Sequence, residues 1–132
     1  SKSLFKLIKS KKRNIKALLL DQSMIAGLGN IYADESLWKS KIHPNSHSHK
    51  IPKKRVDNLY NNIRIILTKA IEQNGTTIIN FAVNGESVKY TNELRVYGKN
   101  NSECYYCSHI IVKIRVAGRG TYICKKCQKK YR

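Results

Sequence analysis

The sequence predicts a mainly α domain followed by a small β-hairpin module closed by four cysteines, and three observations carry that prediction. Apolar residues recur at three- and four-residue steps from Val56 through Leu59, Ile63 and Ile66 to Ile71, the period of one face of a long helix. The four cysteines of the chain fall as Cys104-x2-Cys107 and Cys124-x2-Cys127 with sixteen residues between the pairs. Between the pairs, residues 110–116 and 121–123 are β-rich and read as two strands of a hairpin. The expected division is a helical domain over residues 1–93 and the hairpin module over residues 94–132.

Taken in order, Ser10 or Asn14 is placed to cap a helix whose Ile15, Leu18 and Leu19 share a face. Gly27-Leu28-Gly29 breaks it. Asn30 is placed to cap a second helix over residues 31–39, with Asp34 and Glu35 in its early turns, suited to the positive end of the dipole, and Ile42-His43-Pro44 stopping it. The longest helix is expected from Pro52 to Gln73, ending at Asn74-Gly75. Residues 84–93 lack a period and read as a loop, the hairpin module starts near Leu94, and the lysines of the last residues read as a loose tail. No internal repeat is present.

Two C-x2-C steps bring four thiolates onto one ion, the ligand pattern of a structural zinc ribbon, with Cys104, Cys107, Cys124 and Cys127 as ligands to one Zn2+. Two disulfides are the alternative, set against the lack of a secretory leader or long apolar run, which points to an intracellular, non-secreted chain. Four thiolates also close the coordination sphere, which excludes a catalytic zinc.

Twenty-six Lys and Arg against eight Asp and Glu give +18. A field of that sign on 132 residues favours polyanions, although part of it belongs to an ordinary solvated surface. Residues 95–132 carry ten basic residues against one acid, Glu103, so the hairpin module presents a basic surface. The segment from Leu4 to Ile8 is too short to argue for a membrane partner. Gly27-Leu28-Gly29-Asn30 has the residues to cradle a phosphate, or to serve as a plain interhelical turn. His43, His47 and His49 invite a second metal, but their Ser- and Asn-rich surroundings read more simply as a loop.

The string from Leu20-Asp21-Gln22 through Ala26-Gly27-Leu28-Gly29-Asn30-Ile31-Tyr32-Ala33-Asp34-Glu35 to Trp38, with Ile42-His43-Pro44 after it, resembles the helix-two-turn-helix segment of the formamidopyrimidine-DNA glycosylase and endonuclease VIII family. Glu93-Leu94-Arg95-Val96-Tyr97-Gly98-Lys99 and Ala117-Gly118-Arg119-Gly120-Thr121-Tyr122-Ile123-Cys124 resemble its zinc finger, and Gly75-Thr76-Thr77 also matches. The unbroken pattern looks closer to the formamidopyrimidine branch.

The resemblance implies base-excision repair of oxidised purines such as 8-oxoguanine and formamidopyrimidine. The partner is double-stranded DNA containing damaged bases or apurinic sites, and the protein is expected to be a monomer. Family members use an N-terminal proline amine as nucleophile and break the backbone by β- and δ-elimination, as bifunctional glycosylase and apurinic-site lyase. This chain begins with Ser1 and holds no proline before Pro44, so it is expected to be the DNA-binding, C-terminal piece of a longer enzyme, without a catalytic residue of its own and inactive alone. Carried over by position, Asn30 contacts phosphate near the lesion, Lys16 faces DNA, Tyr97 occupies the Val-Tyr-Gly tyrosine and Arg119 grips phosphate with a planar guanidinium. Lys16 has a solvated side chain as its plain alternative, and Tyr97 has packing. The loop over residues 84–91 is placed to cover an everted base. The rival reading is a non-catalytic zinc-ribbon nucleic-acid-binding module.

Overall fold

The computed structural model describes residues 6, 8–10, 12–21, 29–84 and 94–132, with backbone alone for 21 and 70–84. The helices are α1 (Ile15–Asp21), α2 (Asn30–Lys39) and α3 (Lys53–Asn84), preceded by helical residues 8–10. A two-stranded antiparallel sheet follows, β1 (Val112–Val116) and β2 (Arg119–Ile123). Among the described residues no helix is long and apolar enough to cross a membrane.

Of the two candidate caps, Ser10 and Asn14, Asn14 is the one that caps α1: its side-chain oxygen accepts the Ala17 N–H at 3.2 Å. Asn30 does not cap α2. Gly29 takes that position without a side-chain cap and Asn30 becomes the first helical residue, which frees its amide for a partner elsewhere. The end of α2 is set before Pro44. Lys41 takes φ of 61°, its N–H bonds Trp38 O, and the Ile42 N–H reaches back to Leu37 O, both at 3.0 Å. This pair of reversed bonds satisfies the last carbonyls of the helix, and fully buried Leu37 and Ile42 both join the apolar core.

The third helix runs past Asn74-Gly75 to Asn84, so the expected stop, and the start of the expected loop, are both displaced. A single glycine inside a helix costs only about 1 kcal/mol relative to alanine, and the apolar spacing continues through Ile78 and Ala82. Residues 85–91 of that expected loop lie outside the described residues, as do Gly27 and Leu28 of the glycine turn.

The three helices meet on one apolar core, with Ile15, Leu18, Leu37, Ile42, Val56 and Leu59 at its centre. A smaller cluster of Trp38, Val96, Ile111, Cys104 and Cys124 forms the interior of the hairpin module. Trp38 belongs to α2, so the two parts share a wall. The tail is not loose: Lys129 N–H bonds Lys41 O, His43 N–H bonds Lys129 O, and His47 N–H bonds Tyr131 O at 2.7 Å. Gln128 joins the parts again, accepting from Cys124 N–H at 2.8 Å and donating to Ile42 O at 3.0 Å.

Candidate nucleic-acid interface and metal centre

The hairpin turns on two residues. Val116 pairs with Arg119, and Ala117 and Gly118 both take positive φ, 54° and 74°, the left-handed pair that matches the right-handed twist of a two-residue hairpin. Arg119 is therefore the first residue of β2, which starts two residues before the expected strand at 121–123. It is exposed. Residues directly opposite share a face, which puts Arg119 with Val116, Ile114 and buried Thr121, while Lys113 and Arg115 stand on the other face with Tyr122.

The outer edge of β2 carries backbone groups that β1 does not pair, and side chains of α2 take them. Asn30 Nδ2 donates to Gly120 O at 3.1 Å, and Asp34 Oδ2 accepts from Tyr122 N–H at 3.0 Å. Lys16 reaches the same place from α1, pairing with Asp34 Oδ1 at 2.7 Å and donating to Thr121 Oγ1 at 2.6 Å. Its side chain has no exposure, so Lys16 is not the solvated lysine of the plain alternative. Burial pushes the Asp34 carboxyl up to about 6, against the lowering effect of Lys16, and burial likewise lowers the Lys16 ammonium.

Glu35 anchors the segment that enters the hairpin module. One carboxylate oxygen accepts from Arg95 N–H, the other from Val96 and Tyr97 N–H, each at 2.8 Å. The Tyr97 ring then stands edge-on to Tyr122 with centroids 4.8 Å apart. The structure thus brings Lys16, Asn30 and Arg119 together around Gly120 and Thr121, with Tyr97 reached through Tyr122. In the sequence alone, Asp34 and Glu35 read as partners of the helix dipole. Their signal was two adjacent acids on a helix in a very basic chain, but which backbone amides they would meet is a property of the assembled fold.

The four cysteine sulfurs lie within 4.8 Å of one another, with Cys104 and Cys127 3.8 Å apart and Cys107 and Cys124 3.4 Å apart. All four are free, with these sulfurs farther apart than an S–S bond. Tetrahedral zinc with Zn–S bonds of about 2.3 Å sets its sulfurs about 3.8 Å apart, so the cluster fits one ion. Burial pushes the Cys124 and Cys127 thiols up, so their thiolates need a cation there. Trp38 Nε1–H donates to Cys104 Sγ at 3.4 Å, a bond that orients the sulfur from outside the ligand set. Among the described residues no other group of three or more metal-ligating side chains comes together, and His43, His47 and His49 do not form one.

Comparison with known proteins adds identity to this geometry. Residues 1–82 match the family model of the formamidopyrimidine-DNA glycosylase H2TH domain, and residues 102–130 match the zinc finger found in FPG and IleRS. The formamidopyrimidine-DNA glycosylase of Lactobacillus acidophilus is 50% identical over 126 residues, covering 95% of this chain and 46% of that protein. That of Rickettsia canadensis is 45% identical over 116 residues, covering 86% and 42%. The chain therefore spans less than half the length of these relatives. A crystal structure of the complex between Lactococcus lactis Fpg and DNA containing an abasic site superposes with a TM-score of 0.87 at 42% identity, covering 98% of this chain and 47% of that one. A Lactococcus lactis Fpg complex with FAPY-dG-containing DNA gives 0.86 at the same identity. With the cysteine geometry, the zinc-finger match assigns the four cysteines to one structural zinc.

Proposed function

Because the chain belongs to the formamidopyrimidine-DNA glycosylase family through its H2TH domain, we propose that it is the damaged-DNA-binding half of a base-excision glycosylase and apurinic-site lyase acting on oxidised purines. The observation that carries the reading is the meeting of α1, α2 and β2 at the base of exposed Arg119, with Asn30 and Lys16 on the same strand edge. In this reading the mainly α H2TH domain occupies residues 1–93 and the zinc finger residues 94–132, and the protein works inside the cell.

The chemistry suits a duplex interrupted by damage. A guanidinium offers two parallel donors to one phosphate, and it sits at the rim of a hairpin that zinc and the α2 carboxylates hold rigid. Asn30 adds a neutral donor nearby, and Tyr97, through Tyr122, supports the strand from its other side. Duplexes with an abasic or oxidised site unstack and bend at lower cost, so a rigid cluster of phosphate ligands prefers them without reading bases. Lys113 and Arg115, on the opposite face, supply unspecific attraction.

The test is a titration of the 132-residue chain against abasic-site and undamaged duplexes of one sequence at two salt concentrations. Tighter binding to the abasic duplex at both supports the reading; equal affinities that vanish together at high salt refute it.

A further inference from the structure

Four consecutive residues of β2, from Arg119 to Tyr122, hang from one buried ion pair. Lys16 and Asp34 meet at 2.7 Å with both side chains wholly buried. Lys16 Nζ donates to Thr121 Oγ1 at 2.6 Å and lies 3.5 Å from Gly120 O. The Thr121 hydroxyl in turn donates a hydrogen bond to Arg119 O at 3.0 Å. The second oxygen of Asp34 holds the Tyr122 N–H at 3.0 Å. A chain of three polar links, the first two involving the Lys16 charge, therefore runs from Asp34 to the backbone of Arg119.

We propose that Asp34 is a positioning residue for DNA binding, which fixes β2 through Lys16 and Thr121 so that Arg119 is held ready for a phosphate. This rests on the reading of Arg119 as a phosphate ligand. Burying an ion pair stabilises little against an apolar pair of the same volume, so what this one supplies is a unique register of the hairpin against the helices. Lys16, being buried, serves DNA through the hairpin.

The sign of the effect separates this idea from simple electrostatics. Asp34 is one of eight acids in a chain of net charge +18, and removing it makes the protein more basic. A diffuse field would then bind DNA more tightly. Positioning predicts the reverse.

The experiment titrates an abasic-site duplex with wild type, Asp34→Asn, Arg119→Ala and the double variant, with zinc content and circular dichroism checked for each. Asp34→Asn is expected to weaken binding about tenfold, as for one charge-assisted bond lost, and to add little in the Arg119→Ala background because both act through the same group. Unchanged or tighter binding by Asp34→Asn, or equal losses in both backgrounds, overturns the proposal. If Arg119→Ala alone has no effect, the phosphate-ligand reading fails first and takes this proposal with it. Should Asp34→Asn lose zinc or helix, Thr121→Val carries the test, since it keeps the volume and removes only the hydroxyl; it is expected to weaken binding several-fold, with Thr121→Ser restoring it, and no loss overturns the proposal.

A pH series gives an independent arm. The groups facing Asp34 are Lys16 from α1, the Tyr122 amide from β2 and Glu35 beside it, with Arg119 acting on Lys16. As pH falls through about 6, protonation of Asp34 and of any histidine only adds positive charge, so a diffuse field tightens binding. Weakening in the wild type that Asp34→Asn lacks supports positioning, and tightening in both refutes it.

Discussion

Trp38 donates its indole N–H to Cys104 Sγ at 3.4 Å, which ties the helical domain to the zinc ligands by one side chain. Trp38 is the sole tryptophan of the chain and only 3% exposed. Its fluorescence therefore reports the metal centre directly.

Purified under reducing conditions, the chain is expected to hold one zinc per molecule, and a chelator should unfold the hairpin module, shift the Trp38 emission to the red and leave most helical circular dichroism. Trp38→Phe should keep the fold and weaken zinc binding by about tenfold through loss of the N–H···S bond. A metal-free protein with disulfides, or emission that ignores the chelator, would refute the assignment.

Asn30→Ala and Arg119→Ala should each weaken binding to an abasic-site duplex by about 1–3 kcal/mol, the range for a lost positioned or charge-assisted bond. Lys113→Ala and Arg115→Ala, on the opposite face of the hairpin, should lower affinity less and mainly flatten the salt dependence. Equal small effects at all four positions would mean that the basic surface binds as a diffuse field.

The Asp34 carboxyl should titrate near pH 6 rather than near its ordinary 3.8, because burial disfavours its charge. The folded chain then holds this proton more tightly than the unfolded chain. Its contribution to stability is complete below the unfolded value and is lost as pH rises through about 6. Carbon-13 spectra of labelled Asp34 give the midpoint, and the stability of wild type relative to Asp34→Asn should fall between pH of about 4 and about 6.5. A midpoint below about 4 would show that the Lys16 charge outweighs burial.

Deleting residues 129–132 should destabilise the chain by about 1–3 kcal/mol, because backbone groups of Lys41, His43 and His47 and the hydroxyl of buried Ser46 lose their partners. Lys129→Gln with Lys130→Gln keeps those backbone bonds and should alter only the salt slope of DNA binding. Urea unfolding separates the two, and equal midpoints for the truncated and full chains would show the tail to be dispensable.

The sequence by itself determined what depends on local spacing. Two C-x2-C steps name a zinc site without knowledge of the fold, the 3.6-residue period from Val56 onward names α3, and Ser10 and Asn14 are the two candidate caps of α1, of which the structure uses Asn14. The tertiary structure alone decided whatever links residues distant in the chain. Asn30 reads as a cap until Gly120, ninety positions later, offers a carbonyl at 3.1 Å, and Asp34 and Glu35 read as dipole partners until unpaired amides of β2 and of residues 95–97 arrive beside them. A side chain takes the strongest partner within reach, and in a folded chain that partner is set by packing. Lys16 shows the same rule: sequence placed it in solvent or on DNA, whereas burial leaves a lysine little choice but a carboxylate, and Asp34 is the one the fold delivers.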